Sequence, residues 1–484
     1  MPELSSGRRR VILAICCMSI LIVGMDITIV NVALPSIRAD LHASVSGLQW
    51  TIDAYTVVLA SLLVLSGSTA DRIGRRRIFQ VGLALFTMGS LLCSAAPGLG
   101  WLVGFRMLQA VGGSMLNPVA MSIVTNVFTD PRERARAIGV FAGVVGISLG
   151  VGPVLGGILV ESVGWRSIFW INVPIGLAAI VLAAIFVPES KAERARRIDP
   201  VGQVLVIAAL LSLTYAIIEG PKAGHPAETW ALAAFCVACV VALVRYEPRR
   251  EDPLIELTFF RSIPFTGATL TAVAALGAFS AFLFLNTLYL QDVRGLSALQ
   301  AGLFLLPMAT MTAVFAPISG RMVANRGPRI PLLVAGTGML LGALPLTQLT
   351  DHLGYPWLLA CYLVFGLGFG MVNAPITNAA VSGMPRSQAG VAAAVASTSR
   401  QIGASLGVAV VGAIVSGGAG AAIRTEFSSA SHAGWWLVVG CSAAIFVLAV
   451  ATTGRRAVVS AGRVARMLDV RAASSSPGVA GLRG

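Results

Sequence analysis

The first long apolar run, "VILAICCMSILIVGMDITIVNVAL" (Val11 to Leu34), decides the fold class of this chain. A helix needs about 20 predominantly apolar residues to cross the hydrocarbon core of a bilayer. This run has that length and carries a single charged side chain, Asp26. A charged residue at the centre of a membrane helix costs about 2.5–3.5 kcal/mol on insertion scales. Asp26 is therefore an exception to the pattern and a candidate functional residue.

The rest of the chain has the same apolar character. Of the 484 residues, 56% are hydrophobic and only 12% are charged, whereas soluble domains average about 25% charged residues. Apolar runs of spanning length recur fourteen times along the sequence. We therefore predict an all-α polytopic membrane protein with 14 transmembrane helices.

The distribution of Lys and Arg predicts the orientation in the membrane. With the N-terminus placed inside, 28 of the 35 basic residues fall in inner segments and only 5 in outer segments. Cytoplasmic loops carry such an excess, so both termini are predicted to be cytoplasmic. Because the basic residues lie in short clusters between apolar runs, the net charge of +14 does not indicate a nucleic-acid partner. Almost all of them are Arg, which is typical of a GC-rich bacterial genome and favours the bacterial cytoplasmic (inner) membrane.

Two long charged loops, 188–200 and 247–265, bracket the seventh and eighth spans. That spacing predicts two six-helix bundles with two extra helices inserted between them. The tail is basic and then rich in Ser and Gly, so we expect it to lie on the inner leaflet and become disordered. The predicted divisions are a cytoplasmic N-terminus (1–10), an N-terminal bundle (11–187), an inserted pair with its loops (188–264), a C-terminal bundle (265–453) and a disordered tail (454–484).

The second span ends in "GSTADRIGRRR" (Gly67 to Arg77). An ordinary inner loop also carries such arginines, but the pattern G-x-x-x-D-R-x-G-R-R resembles the loop 2–3 signature of the major facilitator superfamily. The resemblance implies that this loop forms part of an inner gate between two bundles. "GRMVANRGPR" (Gly320 to Arg329) is similar to a degenerate second copy, with Ala324 in place of the Asp. The candidate gate residues are Gly67, Asp71, Arg72, Gly74, Arg75 and Arg76.

The fourth span carries "LVGFRMLQAVGGSM" (Leu102 to Met115). An arginine inside a membrane helix is expensive and faces a cavity or a partner, unless it lies close enough to the interface to snorkel outward. The R-x-x-Q-x-x-G arrangement, which contains Arg106 and Gln109, resembles the superfamily motif that is associated with proton coupling.

The fifth span carries glycines four residues apart, which allow helices to approach closely, together with a proline that removes a backbone donor. Generic tight packing would produce such spacing as well. The segment also resembles the antiporter motif of the exporter branches, G-x-x-x-G-P-x-x-G-G, except that Ser148 stands at its first glycine. The resemblance favours export over import and implies a seam on which two bundles rock. The candidate seam residues are Gly143, Gly146, Gly150, Gly152, Pro153, Gly156 and Gly157.

With "MDITIVNVALP" and "GWRSIFWINVPIG" (Gly164 to Gly176), the chain resembles the fourteen-span drug:proton antiporters over nearly its whole length. The resemblance implies a monomeric, proton-coupled efflux transporter. Its partners would be a drug, antibiotic or similar amphipathic small molecule, protons and the lipid bilayer. We expect no cofactor and no metal, because the cysteines lie in apolar runs and the histidines in short loops.

The candidate proton-coupling and substrate residues are confined to the first half of the chain, because no acid lies in the middle of a later span. Burial disfavours the charged form of a carboxyl group, so a proton and a substrate can compete for one buried acid. A structural role for Asp26, as a hydrogen-bond partner of Asn31 or of neighbouring backbone, stays open. The set is Asp26, Asn31, Asp53, Arg106 and Gln109.

Two other functions fit the sequence less well. The alternative is a proton-coupled importer or exporter of a specific metabolite (a nutrient, amino acid or siderophore) on the same fold, and the glycine and proline pattern of the fifth span argues against import. A membrane enzyme or sensor is not expected, because the sequence shows no nucleophile–base set and no catalytic residues. It also contains no phosphate-binding G-x-x-x-x-G-K-[ST] loop.

Overall fold

The computed structural model describes residues 5–192, 199–220, 226–250, 253–382, 384, 388–419 and 423–474. These residues form sixteen α-helices joined by short loops. The helices are α1 Ser6–Leu41, α2 Val45–Ile73, α3 Arg75–Ser94, α4 Leu99–Val127, α5 Pro131–Ser162, α6 Ser167–Trp170, α7 Asn172–Phe186, α8 Pro200–Glu219, α9 Pro226–Tyr246, α10 Ile263–Leu288, α11 Ala298–Arg326, α12 Arg329–Ala343, α13 Tyr355–Val381, α14 Ala389–Ala419, α15 Ile423–Thr452 and α16 Arg455–Ser474.

Within the described part of the chain, fourteen helical segments are long and apolar enough to cross a membrane, with α6 and α7 together forming one of them. The predicted number of transmembrane helices is therefore confirmed. A π-helical turn, Tyr289–Val293, follows α10, and 3₁₀ turns follow α9 and α12 and precede α10. The amphipathic helix α16 is not a spanning helix.

Polar side chains at the starts of several helices explain where these helices begin. The backbone N–H of Gly47 donates to the Ser44 hydroxyl at the start of α2. Asp130 accepts from the backbone N–H groups of Arg132 and Glu133 at the start of α5. Such caps satisfy N–H groups that have no partner inside the helix. The short hydrophilic stretches between apolar runs thus end one span and begin the next.

The helices form two bundles, α1 to α7 and α10 to α15, which meet where α5 packs against α11 and α2 against α14. The inserted helices α8 and α9 pack against each other, and α8 also contacts both α2 and α14. The predicted fold class, two six-helix bundles with an inserted pair, is confirmed in this arrangement. The inserted helix α8 lies against one helix of each bundle rather than on one bundle alone.

The part of the C-terminal tail that the structure describes is helical, whereas the sequence predicted disorder there. Arg455–Ser474 form the helix α16 instead of a disordered segment. Its buried residues, Ala457, Ala461, Val464 and Leu468, recur at helical spacing and pack toward the bundle. Apolar burial on one face stabilises this helix in spite of its many arginines. Residues 475–484, where disorder was also predicted, lie outside the described residues.

Because successive membrane helices alternate in direction, the loops divide between two faces. We call the face that carries the start of α1 and the α2–α3 loop the basic face, since it holds Arg8 to Arg10 and Arg72 to Arg77. The face at which α1 ends is called the opposite face.

Candidate functional site

A buried ion pair lies between α1 and α4. Asp26 is fully buried, and Arg106 is 1% exposed. Arg106 Nη1 donates to Asp26 Oδ2 at 2.5 Å, and Gln109 Nε2 donates to Asp26 Oδ1 at 2.9 Å. Arg106 and Gln109 are also hydrogen-bonded to each other at 2.7 Å. A buried ion pair is tolerated when its remaining polar atoms are satisfied in this way.

Three further residues complete this ion-pair network, and sequence reasoning did not identify them as site residues. Asn172 Nδ2 donates to Asp26 Oδ1 at 3.3 Å and to Ser90 Oγ at 3.2 Å. The Arg106 guanidinium carbon lies 4.1 Å from the ring centroid of Tyr55, a cation–π contact. Asn172 was visible as a polar residue in "FWINVPIG", and it stands where the break between α6 and α7 starts a new helix. Nothing local in the sequence singles out Ser90.

Asp53 lies outside this network, although it was predicted to act together with Asp26 and Arg106 in proton coupling. It is fully buried in α2, and its Oδ1 accepts from Thr56 Oγ1 at 3.5 Å. Its Oδ2 has no hydrogen-bond partner among the described residues. The Ser405 hydroxyl of α14 lies beside it without a hydrogen bond of standard geometry. Asp53 is thus a buried acid at the contact between the two bundles.

Asn31 is not a partner of Asp26 in this structure. Its Nδ2 donates to the Ile27 carbonyl within α1 at 3.0 Å, and its Oδ1 is buried without a partner among the described residues. The partners of the Asp26 carboxylate are side chains of α4 and α7. Of the five predicted coupling residues, the structure brings Asp26, Arg106 and Gln109 together and places Asn31 and Asp53 elsewhere.

The α5 glycines do not all lie on one seam. A Cβ at Gly157 would lie 2.6 Å from Leu299 Cα of α11, and one at Gly150 would lie 3.0 Å from Ala309 Cβ. These two glycines therefore line the contact between the bundles. A Cβ at Gly156 would lie 2.7 Å from Ile29 Cγ1 of α1, inside one bundle.

The other four members of the predicted seam also differ in their surroundings. A Cβ at Gly152 would collide with Thr28 Oγ1 of α1, whereas one at Gly143 or Gly146 would meet no atom within 4 Å. Pro153 lies at the bundle contact, because a Cβ at Gly302 of α11 would collide with its carbonyl oxygen.

Polar contacts join the bundles at the opposite face. Arg38 Nη1 donates to Asp292 Oδ2 at 3.2 Å, and Gln291 Nε2 donates to the Val32 carbonyl at 2.9 Å. Farther along the same contact, Gln49 Nε2 donates to the Ala409 carbonyl of α14 at 2.8 Å. At the basic-face half of α5, a Cβ at Gly143 or Gly146 would meet no atom within 4 Å, so no residue of α11 packs against these two positions.

The α2–α3 loop packs against its own bundle. Asp71 pairs with Arg75 at 2.8 Å, and the backbone N–H of Arg76 donates to Glu189 Oε1 at 3.1 Å. Gly74 has φ 136°, a backbone conformation that favours glycine. Arg72 is exposed. A Cβ at the last predicted gate residue, Gly67, would make an ordinary contact with Pro118 of α4, 3.7 Å away.

Comparison of the sequence with known families decides the affiliation. Residues 16–408 match the Major Facilitator Superfamily. The chain belongs to this superfamily. Among the described residues, this major facilitator has no group of three or more His, Cys, Asp or Glu side chains that could hold a metal ion.

Several curated relatives of this major facilitator cover most of its length. It is 35% identical over 399 residues to the multidrug resistance protein Stp of Mycobacterium tuberculosis, which covers 82% of the chain and 74% of the relative. It is 35% identical over 430 residues to the tetracenomycin C resistance and export protein of Streptomyces glaucescens, covering 88% and 79%. It is 34% identical over 410 residues to the multidrug efflux pump LfrA of Mycolicibacterium smegmatis, covering 84% and 81%.

Two solved structures show the same fold as this major facilitator at low sequence identity. A bacterial homologue of the human lysosomal transporter Spinster, in an inward-facing and unoccupied conformation, has a TM-score of 0.60 and 17% identity, with 97% of this chain and 99% of that one covered. A D-xylose–proton symporter has a TM-score of 0.65 and 14% identity, with 91% and 96% covered. These likenesses establish the fold alone.

Proposed function

We propose that this major facilitator is a transporter that exports a drug, antibiotic or similar amphipathic small molecule in exchange for protons. The observation that carries the proposal is its identity of 34–35%, over more than four fifths of the chain, with proteins named for multidrug resistance and export. The polar contacts that join the two bundles at the opposite face support alternating access, in which two bundles rock about a central site.

The proposed orientation places the basic face and both termini in the cytoplasm of a bacterial cell, with the protein in the inner membrane. The excess of arginine on that face supports it. In this orientation the polar contacts that join the bundles, Arg38 to Asp292 and Gln291 to Val32, lie at the outer face, and we propose that the inner face is the open one. The exporter then receives its substrate from the cytoplasm or the inner leaflet in this conformation.

We assign different roles to the two buried acids. Asp26 is held by hydrogen bonds from Arg106 and Gln109 in this conformation. Asp53 touches no basic side chain among the described residues and is fully buried, a setting in which the uncharged form of a carboxyl group is favoured. Because Asp53 lies against α14 of the other bundle, rocking changes its surroundings. We therefore propose that Asp53 carries the proton and that the Asp26 network holds α1, α4 and α7 in register.

The remaining site residues complete the cycle. Asp71 and the arginines of its loop would form the inner gate when the basic face closes, and the α5 glycines would allow the bundles to rock. The protein would work as a monomer in the lipid bilayer, with the small-molecule substrate and protons as its other partners. The proposed divisions are those expected from the sequence, 11–187 and 265–453 for the bundles and 188–264 for the inserted pair and its loops.

The test uses everted membrane vesicles from an efflux-deficient host that expresses the protein, with a panel of fluorescent drugs. We expect accumulation inside vesicles with an acidic lumen and its loss when a protonophore collapses the gradient. A control substitution, Glu228→Gln, removes an exposed carboxylate at the start of α9 and should leave the accumulation unchanged. Accumulation that survives the collapse of the gradient would refute proton coupling, and proton-driven movement out of these vesicles would indicate an importer.

A further inference from the structure

Two acidic side chains are buried together where the inserted helices meet the basic face. Asp199 directly precedes α8 and is 3% exposed, and Glu247 directly follows α9 and is 1% exposed. Asp199 Oδ1 accepts from the backbone N–H of Gly202 at 3.0 Å and from the Tyr246 hydroxyl at 3.2 Å. These bonds account for one of its two carboxylate oxygens.

The other carboxylate oxygens converge on one small space. A Cβ at Gly202 would lie 2.8 Å from Asp199 Oδ2 and 2.8 Å from Glu247 Oε1. Asp199 Oδ2 and both oxygens of Glu247 have no hydrogen-bond partner among the residues that the structure describes. A glycine at position 202 leaves room for this approach of the two carboxylates. Buried carboxylate oxygens without partners are costly, and a bound proton, water or cation would lower that cost.

Among the residues that the structure describes, few positive charges lie close to the two carboxylates. The backbone N–H groups of Leu254 and Ile255 approach Glu247 but make no hydrogen bond of standard geometry. Another acid, Glu256, adds to the negative potential at Glu247. The Arg250 guanidinium carbon lies 5.3 Å from the ring centroid of Tyr246 and forms no ion pair with either carboxylate within the described ranges.

When two carboxylates share a buried site, burial and their mutual repulsion oppose the second negative charge. A single proton would join the two groups, since a protonated carboxyl can donate an O–H to a neighbouring carboxylate. We propose that Asp199 and Glu247 bind one proton between them and thereby fasten the basic-face ends of α8 and α9 to each other.

The clamp so formed by Asp199 and Glu247 acts on a helix that touches both bundles. Gln203 Nε2, one turn into α8, donates to the Ser61 carbonyl of α2 at 2.7 Å. At the other end of α8, Trp50 Nε1 donates to Glu219 Oε1 at 2.8 Å. Loss of the shared proton places two negative charges at the start of α8 and weakens the packing of this helix against the two bundles. The exposure of the clamp to cytoplasmic pH rests on the proposed orientation, but its protonation does not.

Infrared difference spectroscopy of the full-length protein in lipid nanodiscs tests the shared proton. The spectrum at about pH 8 should lack a protonated-carboxyl band that is present at about pH 6. Exposed Glu side chains do not contribute to this difference, because their pKa is about 4.3 and they are ionised at both pH values. Glu247→Gln should remove that band, and the exposed control Glu228→Gln should retain it. If Glu247→Gln does not fold, Asp199→Asn serves the same purpose. A band unchanged by both clamp substitutions contradicts the proposal.

Thermal stability gives an independent readout. The folded clamp binds a proton that the unfolded chain releases, so the wild-type melting temperature should fall as the pH rises through the ionisation of the pair. The corresponding fall should be smaller in Glu247→Gln and unchanged in Glu228→Gln. Equal pH dependence in all three proteins would overturn the proposal. Stabilisation of the wild type, but not of Glu247→Gln, by Mg²⁺ or Ca²⁺ at neutral pH would show a cation site instead and would likewise overturn it.

Discussion

Replacing Arg106 with methionine removes the cation that touches Asp26 and leaves a carboxylate at 0% exposure. The substitution deletes the 2.5 Å contact to Asp26 Oδ2 and the 3.2 Å bond from Nε to the Thr51 carbonyl. Removing one partner of a buried ion pair costs about 3–5 kcal/mol, because the other charge stays buried without compensation. We therefore expect Arg106→Met to lower the free energy of unfolding by about that amount.

A double-mutant cycle in detergent micelles measures this interaction. Asp26→Asn alone leaves the Arg106 charge unpaired and should also cost about 3–5 kcal/mol. Changing both residues removes both charges, so the double variant should be more stable than the sum of the two single losses predicts. Ser68→Ala, which changes a partly buried side chain of α2 away from the network, is the control. Strictly additive losses from Asp26→Asn and Arg106→Met would refute the buried ion pair.

Two further predictions concern the contact between the bundles. Gly157→Leu should prevent closure of the opposite face, because its side chain would meet the backbone of Leu299. The accessibility of cysteines introduced on that face should therefore rise. Gly143→Leu, whose side chain enters open space, should leave this accessibility at the wild-type level. Arg38→Ala should change closure only slightly, since the Arg38–Asp292 pair is 30% and 18% exposed and such pairs contribute about 0–1 kcal/mol; abolished closure would show that this pair dominates the contact.

Much of the fold was predictable because its causes are local. Apolar runs of spanning length, separated by short polar segments, predict the number of membrane helices without knowledge of their partners. The end of α2 was predictable for the same reason, since Asp71 and Gly74 form a local motif. The tail could have been predicted better, because Ala457 and Ala461, with the apolar residues one and two turns later, give α16 an amphipathic pattern.

The side-chain partners were not predictable in this way. Asp26 and Arg106 come from α1 and α4, and only the packing of the bundle decides that they meet while Asp53 points elsewhere. Ser90 joins them from α3 without any motif of its own. The pairing of Asp199 with Glu247 was likewise not predictable, because Glu247 follows a different helix and the space between the two carboxylates depends on Gly202.

Proton-driven accumulation and passive exchange, measured side by side in proteoliposomes, test the assignment of the two acids most directly. Passive exchange of substrate across a transporter requires no net movement of protons, whereas accumulation against a gradient does. Asp53→Asn should therefore exchange labelled substrate at the wild-type rate and lose gradient-driven accumulation. Asp26→Asn should lose both, because the Arg106 charge is left without its partner. Full gradient-driven accumulation by Asp53→Asn would contradict the account.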